Sequence, residues 1–134
     1  MILEQLVEPG IARFVFRHFP VRGEAADFAA QVVECAAEQG GFWPLHDRFM
    51  AGDETLFTEA GLRRQITFEG LSYPEFVTCM NERRMAPLVD ASKAEGEARG
   101  VAGTPSVFVN DRRVDPTFEA IDEAVREAAG QAAQ

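Results

Sequence analysis

The 134-residue sequence has no apolar run approaching the roughly 18 residues that a membrane-spanning helix needs. It also lacks an excess of basic residues, since 13 Lys and Arg stand against 22 Asp and Glu, for a formal net charge of −9. Nucleic acids and anionic membranes are bound through basic patches. The composition therefore predicts neither a nucleic-acid partner nor a membrane partner.

Cysteine and histidine, which ligate transition metals and take part in nucleophilic catalysis, are scarce. The sequence contains only two cysteines, Cys35 and Cys79, which are too far apart for a Cys-x-x-Cys or a zinc-ribbon motif. The two histidines, His18 and His46, do not form an H-x-x-x-H pattern, and no G-x-S-x-G elbow or phosphate-binding loop is present. We therefore expect no metal ion and no cofactor, and we assign no catalytic residue.

The most informative stretch that is present covers residues 101–110, Val-Ala-Gly-Thr-Pro-Ser-Val-Phe-Val-Asn. Gly103 permits a turn, and Pro105 suits the first position of a strand because it cannot donate to a sheet ladder. The apolar run Val107–Val109 predicts a buried strand, and a tight turn leads to a returning strand at Arg112–Val114. A Thr-Pro bond at the start of such a strand is a candidate for the cis isomer.

The rest of the chain is predicted to be mainly helical, with one further strand at Ile11–Phe16 that is apolar on both faces. A last helix is expected to start with Asp115 as its cap and Pro116 in its first turn, and to end before Gly130. Apolar spacing and breaker residues place the other helices at about 2–7, 24–39, 42–49, 58–68, 74–83 and 86–99, with Thr58 a candidate cap and Ser72 or Tyr73 preceding the start at Pro74.

The side chains of His18 and Trp43 each have two possible roles. His18 follows the predicted strand and is expected to be a structural histidine rather than a catalytic one. Trp43 is expected to anchor the helical core together with Phe42, and stacking on a ligand is the alternative.

Four stretches in order resemble the DsbA-like thioredoxin-fold thiol-disulfide oxidoreductases. The resemblance covers nearly the whole chain, although the family's Cys-x-x-Cys has no counterpart in these residues. The four stretches are 9–20 (Pro-Gly-Ile-Ala-Arg-Phe-Val-Phe-Arg-His-Phe-Pro), 34–47 (Glu-Cys-Ala-Ala-Glu-Gln-Gly-Gly-Phe-Trp-Pro-Leu-His-Asp), 76–80 (Phe-Val-Thr-Cys-Met) and the loop and strand of 101–110.

The resemblance implies an α/β, thioredoxin-like (DsbA-like) fold in a single domain spanning residues 1–134, with a helical insertion at about 24–99. It also implies that the chain begins inside the family's first helix and lacks the first core strand. Residues 1–7 are too short and too acidic for a signal peptide, so the extracytoplasmic location usual in the family would depend on a signal outside this sequence.

The resemblance further implies the site residues. Thr104 and Pro105 match the cis-proline loop, where the family binds an extended polypeptide substrate by backbone pairing. Relatives in this family often carry cysteines at the two positions that match Cys35 and Cys79, which suggests a structural disulfide between them. Two inert buried thiols are the alternative, and in either case the cysteines lack the helix N-terminus that activates a thiolate.

Two functions remain open at this point. One is a DsbA-family oxidoreductase-like domain that is redox-inactive as given, because the Cys-x-x-Cys is absent, so that its status as an enzyme is uncertain. The other is a redox-inactive thioredoxin-like module for peptide binding or assembly. Apolar strands without a neighbouring strand also predict a homodimer, since unpaired edges of this kind pair with a second chain.

Overall fold

Residues 1–132 are described in the computed structural model of the chain. Six α-helices and one antiparallel pair of strands form over these residues, which is consistent with the α/β class. The elements are α1 (Glu24–Ala37), α2 (Phe42–Met50), α3 (Glu59–Phe68), α4 (Tyr73–Asn81), α5 (Ala86–Ala98), β1 (Val107–Val109), β2 (Arg112–Val114) and α6 (Phe118–Ala132), with a π-helical turn at Leu3–Val7 and a 3₁₀ turn at Glu54–Phe57.

The chain divides into two compact units. Over the described residues, one comprises Met1–Arg17 together with residues 99–132, and the other comprises His18–Ala98. Helices α1 to α5 all lie in the second unit, and the helical insertion expected at about 24–99 stays a prediction. The organisation of the whole chain as a single domain stays a prediction.

The helical unit is built on the apolar stripe of α1. Val32, Cys35 and Ala36 recur at helical spacing and are almost completely buried. Helices α2, α3 and α4 and the 3₁₀ turn contribute the other fully buried members of this core, which are Leu45, Leu56, Ile66, Phe76 and Cys79. This core fixes α1 against α4 and thereby brings the two cysteines together.

The other unit has a smaller core between the hairpin and α6. The strands pair Val107 with Val114 and Val109 with Arg112. Their valines pack with Leu6 of the π-helical turn and with Ile121 and Val125 of α6. The alternation of the strands then leaves Phe108 and its cross-strand neighbour Arg113 on the opposite face of the hairpin.

The strand predicted at Ile11–Phe16 is wrong. This segment has no regular secondary structure, and Ile11, Phe14 and Val15 are 37%, 43% and 50% exposed. A strand is held by hydrogen bonds to a neighbouring strand. The only strands among residues 1–132 are β1 and β2, and they pair with each other, so an apolar sequence alone does not make this segment a strand.

Two predicted helix starts are confirmed and one is wrong. Thr58 caps α3 by accepting a hydrogen bond from the Gly61 N–H, and Ser72 caps α4. Helix α6 begins instead at Phe118, where the Thr117 hydroxyl accepts from the Ala120 N–H at 3.3 Å. Thr117 directly precedes the first turn of α6, so its hydroxyl reaches a free backbone N–H of that turn. Asp115 lies two residues earlier in the chain and does not cap the helix.

Candidate functional site

The loop before β1 forms the first candidate site. Gly103, Thr104 and Pro105 are exposed, and the Thr104–Pro105 peptide bond is cis. The Ser106 hydroxyl closes the loop by donating to the Gly103 carbonyl at 2.7 Å. Among residues 1–132, the backbone N–H and C=O of Thr104 make no hydrogen bond to another backbone group. They are therefore available to an extended chain that approaches the loop from solvent.

Arg113 borders the same loop from β2. Its guanidinium donates to the Ser106 hydroxyl at 3.3 Å and to the Gly100 carbonyl at 3.4 Å, and it lies 5.5 Å from the centre of the Phe108 ring. Together with the loop it lines an open cavity of about 350 Å³. Thr104 and Pro105 both lie in the lining of this cavity.

Cys35 of α1 and Cys79 of α4 form the second candidate site. The structure joins them in a disulfide, with their Cα atoms 5.8 Å apart and each residue 1% exposed. Both cysteines of the sequence are used in this bond, so the chain has no free thiol in this state. Because disulfide exchange needs an accessible thiolate, neither sulfur can attack a substrate here.

Polar contacts flank the disulfide and tie the same two helices. The side-chain amide of Gln39 accepts from the Ser72 N–H at 2.7 Å and donates to the Ser72 carbonyl at 3.0 Å. Arg84 donates two hydrogen bonds to the Glu38 carboxylate, at 2.7 and 2.9 Å, and one to Glu82 at 2.9 Å. The hydrogen bonds to Glu82 and then to Glu38 raise the pKa of Arg84.

Sequence reasoning missed these flanking residues. Glu38 lies three positions after Cys35, which places both on one face of α1, and this spacing is a signal that the sequence does contain. Arg84 follows the end of α4, and nothing in its local pattern predicts that it reaches back to α1.

Among residues 1–132, Cys35, Glu38 and Cys79 form the only group of three potential metal ligands, with their ligand atoms all within 4.8 Å of one another.

His18 has the structural role that the sequence predicts. Its imidazole Nε2 lies 2.7 Å from a Glu34 carboxylate oxygen, and the residue is 6% exposed. Its backbone carbonyl accepts from the Ser92 hydroxyl at 2.8 Å. These contacts fasten the start of the helical unit to α1 and α5.

Trp43 does not anchor the core, contrary to expectation. It is 46% exposed, although its ring makes edge contacts with Phe42 and His46. Phe42 is the residue that packs against the core. Adjacent positions on a helix point about 100° apart, so both cannot face inward.

A family model described as Thioredoxin matches residues 1–127, which is nearly the whole chain. The chain belongs to this thioredoxin family. As a thioredoxin-like chain, it has the loop and hairpin at the expected positions, and the disulfide between α1 and α4 is compatible with an oxidising compartment.

The curated relatives of this thioredoxin-like chain are much longer proteins. Na(+)/H(+) antiporter NhaA 3 of Salinispora tropica is 34% identical over 131 residues, covering 95% of this chain and 20% of its own length. Na(+)/H(+) antiporter NhaA 1 of Salinispora arenicola is 32% identical over 120 residues, covering 87% of this chain and 18% of its own length. The chain thus spans about a fifth of the relatives it matches.

No solved structure matches the chain significantly. Of the helices over residues 1–132, none has the length and apolar character required to cross a membrane.

Proposed function

We propose that this chain is a thioredoxin-fold domain of the DsbA type that binds an extended polypeptide at Thr104 and Pro105 and performs no disulfide exchange of its own. The observation that carries the proposal is that both cysteines are held in one buried disulfide, whereas the proline loop is exposed. The backbone of Thr104 would pair with the bound chain as an added strand. The extracytoplasmic location belongs to the same proposal, and it is supported by the disulfide.

Insulin reduction tests the redox half of this proposal. With a dithiol reductant, the purified chain is expected to reduce insulin no faster than the reductant alone. Turnover above that background, abolished by Cys35→Ser or Cys79→Ser, would show that these cysteines are catalytic.

Peptide titration followed by NMR tests the binding half. A cysteine-free, unstructured peptide is expected to shift the amide signals of residues 102–107 and 113–115, while signals of α3 stay unchanged. Thr104→Pro removes the N–H that would pair with the peptide and should abolish these shifts, whereas Glu119→Pro, at an exposed position in the first turn of α6 and outside the cavity, should leave them in place. Shifts spread equally over both units, or none at millimolar peptide, would contradict binding at the loop.

An oxidoreductase whose Cys-x-x-Cys lies outside these 134 residues is the alternative. The discriminating observation is the coding sequence upstream of Met1. An in-frame strand pattern followed by Cys-x-x-Cys within about forty residues, which is the span of a strand, a loop and half a helix, would favour the enzyme. A stop codon directly upstream would favour the binding module.

The relatives favour one further candidate, an accessory domain of a cation antiporter. Proteins named Na(+)/H(+) antiporters align with 80% to 95% of this chain, and in them the aligned segment is a small part of the protein. If this chain serves such a transporter, its flanking coding sequence should contain several runs of about 20 apolar residues. Deleting the domain should then change Na⁺/H⁺ exchange in membrane vesicles. Flanks without such runs would exclude covalent attachment to a transporter.

A further inference from the structure

The disulfide between α1 and α4 has a carboxylate beside it. Cys35 Sγ, Cys79 Sγ and a Glu38 carboxylate oxygen all lie within 4.8 Å of one another. Both cysteines are buried, whereas Glu38 is exposed and faces solvent. Two sulfurs and one oxygen in this arrangement match the ligand types of a zinc site with three protein ligands.

The backbone spacing suits an ion as well as a disulfide. Two thiolates on one tetrahedral Zn²⁺, each with a bond of about 2.3 Å, place their sulfurs about 3.8 Å apart. The Cα atoms of Cys35 and Cys79 are 5.8 Å apart. Rotation of the two side chains about their Cα–Cβ bonds can therefore open the sulfurs to that distance without displacement of the helices, which the core and the Gln39–Ser72 hydrogen bonds hold together.

We propose that reduction of the Cys35–Cys79 disulfide creates a binding site for a thiophilic divalent cation of the Zn²⁺ type. The ligands are the two thiolates and the Glu38 carboxylate, and the fourth position is open to water. The site arises from the cross-link between α1 and α4 and is independent of peptide binding at Thr104.

The metal site forms in two steps, reduction of the disulfide and binding of the cation. A dithiol reductant transfers two electrons and two protons to the disulfide, which yields two thiols and the oxidised, disulfide form of the reductant. The cation then displaces one proton from each thiol, so that binding releases two protons. The disulfide and the metal site use the same two sulfurs, and the oxidised chain therefore cannot bind the ion at this site.

Arg84 regulates the third ligand. In the disulfide form its guanidinium holds both oxygens of the Glu38 carboxylate, and it also bonds Glu82. A cation at the site must displace Arg84 from Glu38, while Glu82 remains as its partner. Removing Arg84 should therefore strengthen metal binding, and removing the Glu38 carboxylate should weaken it.

Metal titration of the reduced chain tests the site. The chain is reduced with a phosphine, which competes weakly for metals, and titrated with Cd²⁺ while the ultraviolet thiolate-to-metal band is recorded; Zn²⁺ affinity is measured by competition with a coloured chelator. We expect one ion for each reduced chain and none at this site in the oxidised chain. Cys35→Ser should lower the band by about half, and Glu38→Gln should weaken affinity about tenfold or more, since loss of even an outer-shell partner of a ligand costs that much.

Arg84→Ala and Glu82→Gln form a matched pair, because both break the same surface ion pair but only Arg84 contacts the proposed ligand. Arg84→Ala should tighten Zn²⁺ binding, and Glu82→Gln should change it less than about fivefold, the range of a surface charge. No Cd²⁺ band in the reduced chain, or an affinity that Glu38→Gln leaves unchanged, would overturn the proposal. If the reduced chain unfolds, refolding upon Zn²⁺ addition would support the site and continued unfolding would overturn it.

Discussion

At the scale of single residues, the disulfide between Cys35 and Cys79 cross-links the helical unit. Their bond closes a loop with a sequence separation of 44 residues. Cross-links of this length stabilise a fold by about 2–4 kcal/mol, mainly by restricting the unfolded chain.

We therefore expect the double variant Cys35→Ala, Cys79→Ala to lose about 2–4 kcal/mol of unfolding free energy. Urea denaturation measures the loss, and the reduced wild-type chain serves as the control because it should be destabilised to a similar extent. Equal stability of the variant and the oxidised wild type would show that the disulfide does not form in solution.

Asp53 provides a second prediction at this scale. Its carboxylate accepts from the Thr55 hydroxyl at 2.6 Å and from the Thr55 N–H at 3.0 Å, and it also bonds Arg48. The Thr55 hydroxyl is the main cause that lowers the pKa of Asp53. A carboxyl with a lowered pKa in the folded state stabilises the fold above its ordinary pKa and loses that contribution as the pH falls through the folded value.

Carboxyl NMR titration should therefore show the Asp53 pKa below its usual range, and Thr55→Val should raise it. Asp53→Asn should lower stability at neutral pH, and the difference from wild type should vanish in strong acid. A constant difference between the two proteins at every pH would show that the carboxylate charge plays no part.

Residue roles were predictable from sequence only where a local pattern encodes them. Thr58 caps α3 as expected, and Ser72, which was predicted only to precede a helix start, caps α4, because a cap needs only its own hydroxyl and a nearby free N–H. Trp43 was misplaced because hydrophobicity does not reveal which of two adjacent aromatics faces the core. The pairing of Cys35 with Cys79 came from the family resemblance and not from the spacing of the cysteines.

At the scale of elements, Gly61 sets how closely α3 approaches the preceding 3₁₀ turn. A Cβ at this position would overlap the carbonyl group of Thr55 and crowd the Thr58 hydroxyl. Gly130 lies within α6, which continues past the end predicted for it, and a Cβ there would meet no atom within 4 Å.

The two glycines should respond to alanine in opposite directions. Gly61→Ala should destabilise the chain by about 1–3 kcal/mol through overpacking against backbone. Gly130→Ala should be neutral or stabilising by up to about 1 kcal/mol, because alanine favours a helix interior. Thermal unfolding compares the two variants, and similar melting temperatures would mean that the contact with Thr55 relaxes easily.

The helices were more predictable than the strands for a physical reason. A helix satisfies its backbone within its own segment, so spacing and caps suffice to locate it. The hairpin at 107–114 was also predictable, since its turn and both strands are contiguous in sequence. Residues 11–16 require a distant partner for their hydrogen bonds, and no local pattern shows whether that partner is present.

At the scale of the whole molecule, the apolar segment at residues 11–16 is the surface from which we predict a homodimer. Val15 is 50% exposed, and its neighbours Ile11 and Phe14 are also accessible. An exposed apolar segment that pairs with neither strand of the sheet can pair with another chain. Two copies related by a two-fold axis would pair these segments antiparallel, each satisfying the other through the same residues.

Light scattering over a dilution series measures the molar mass of the protein in solution. This mass should approach that of two chains at high concentration. Val15→Lys should shift the equilibrium toward one chain, because a charged side chain on an extended edge opposes pairing. Val21→Lys is the matched control, since Val21 is a valine of nearly equal exposure, 48%, that lies outside the segment. A mass of one chain at every concentration would contradict the dimer, and equal dissociation by both variants would place the interface elsewhere than residues 11–16.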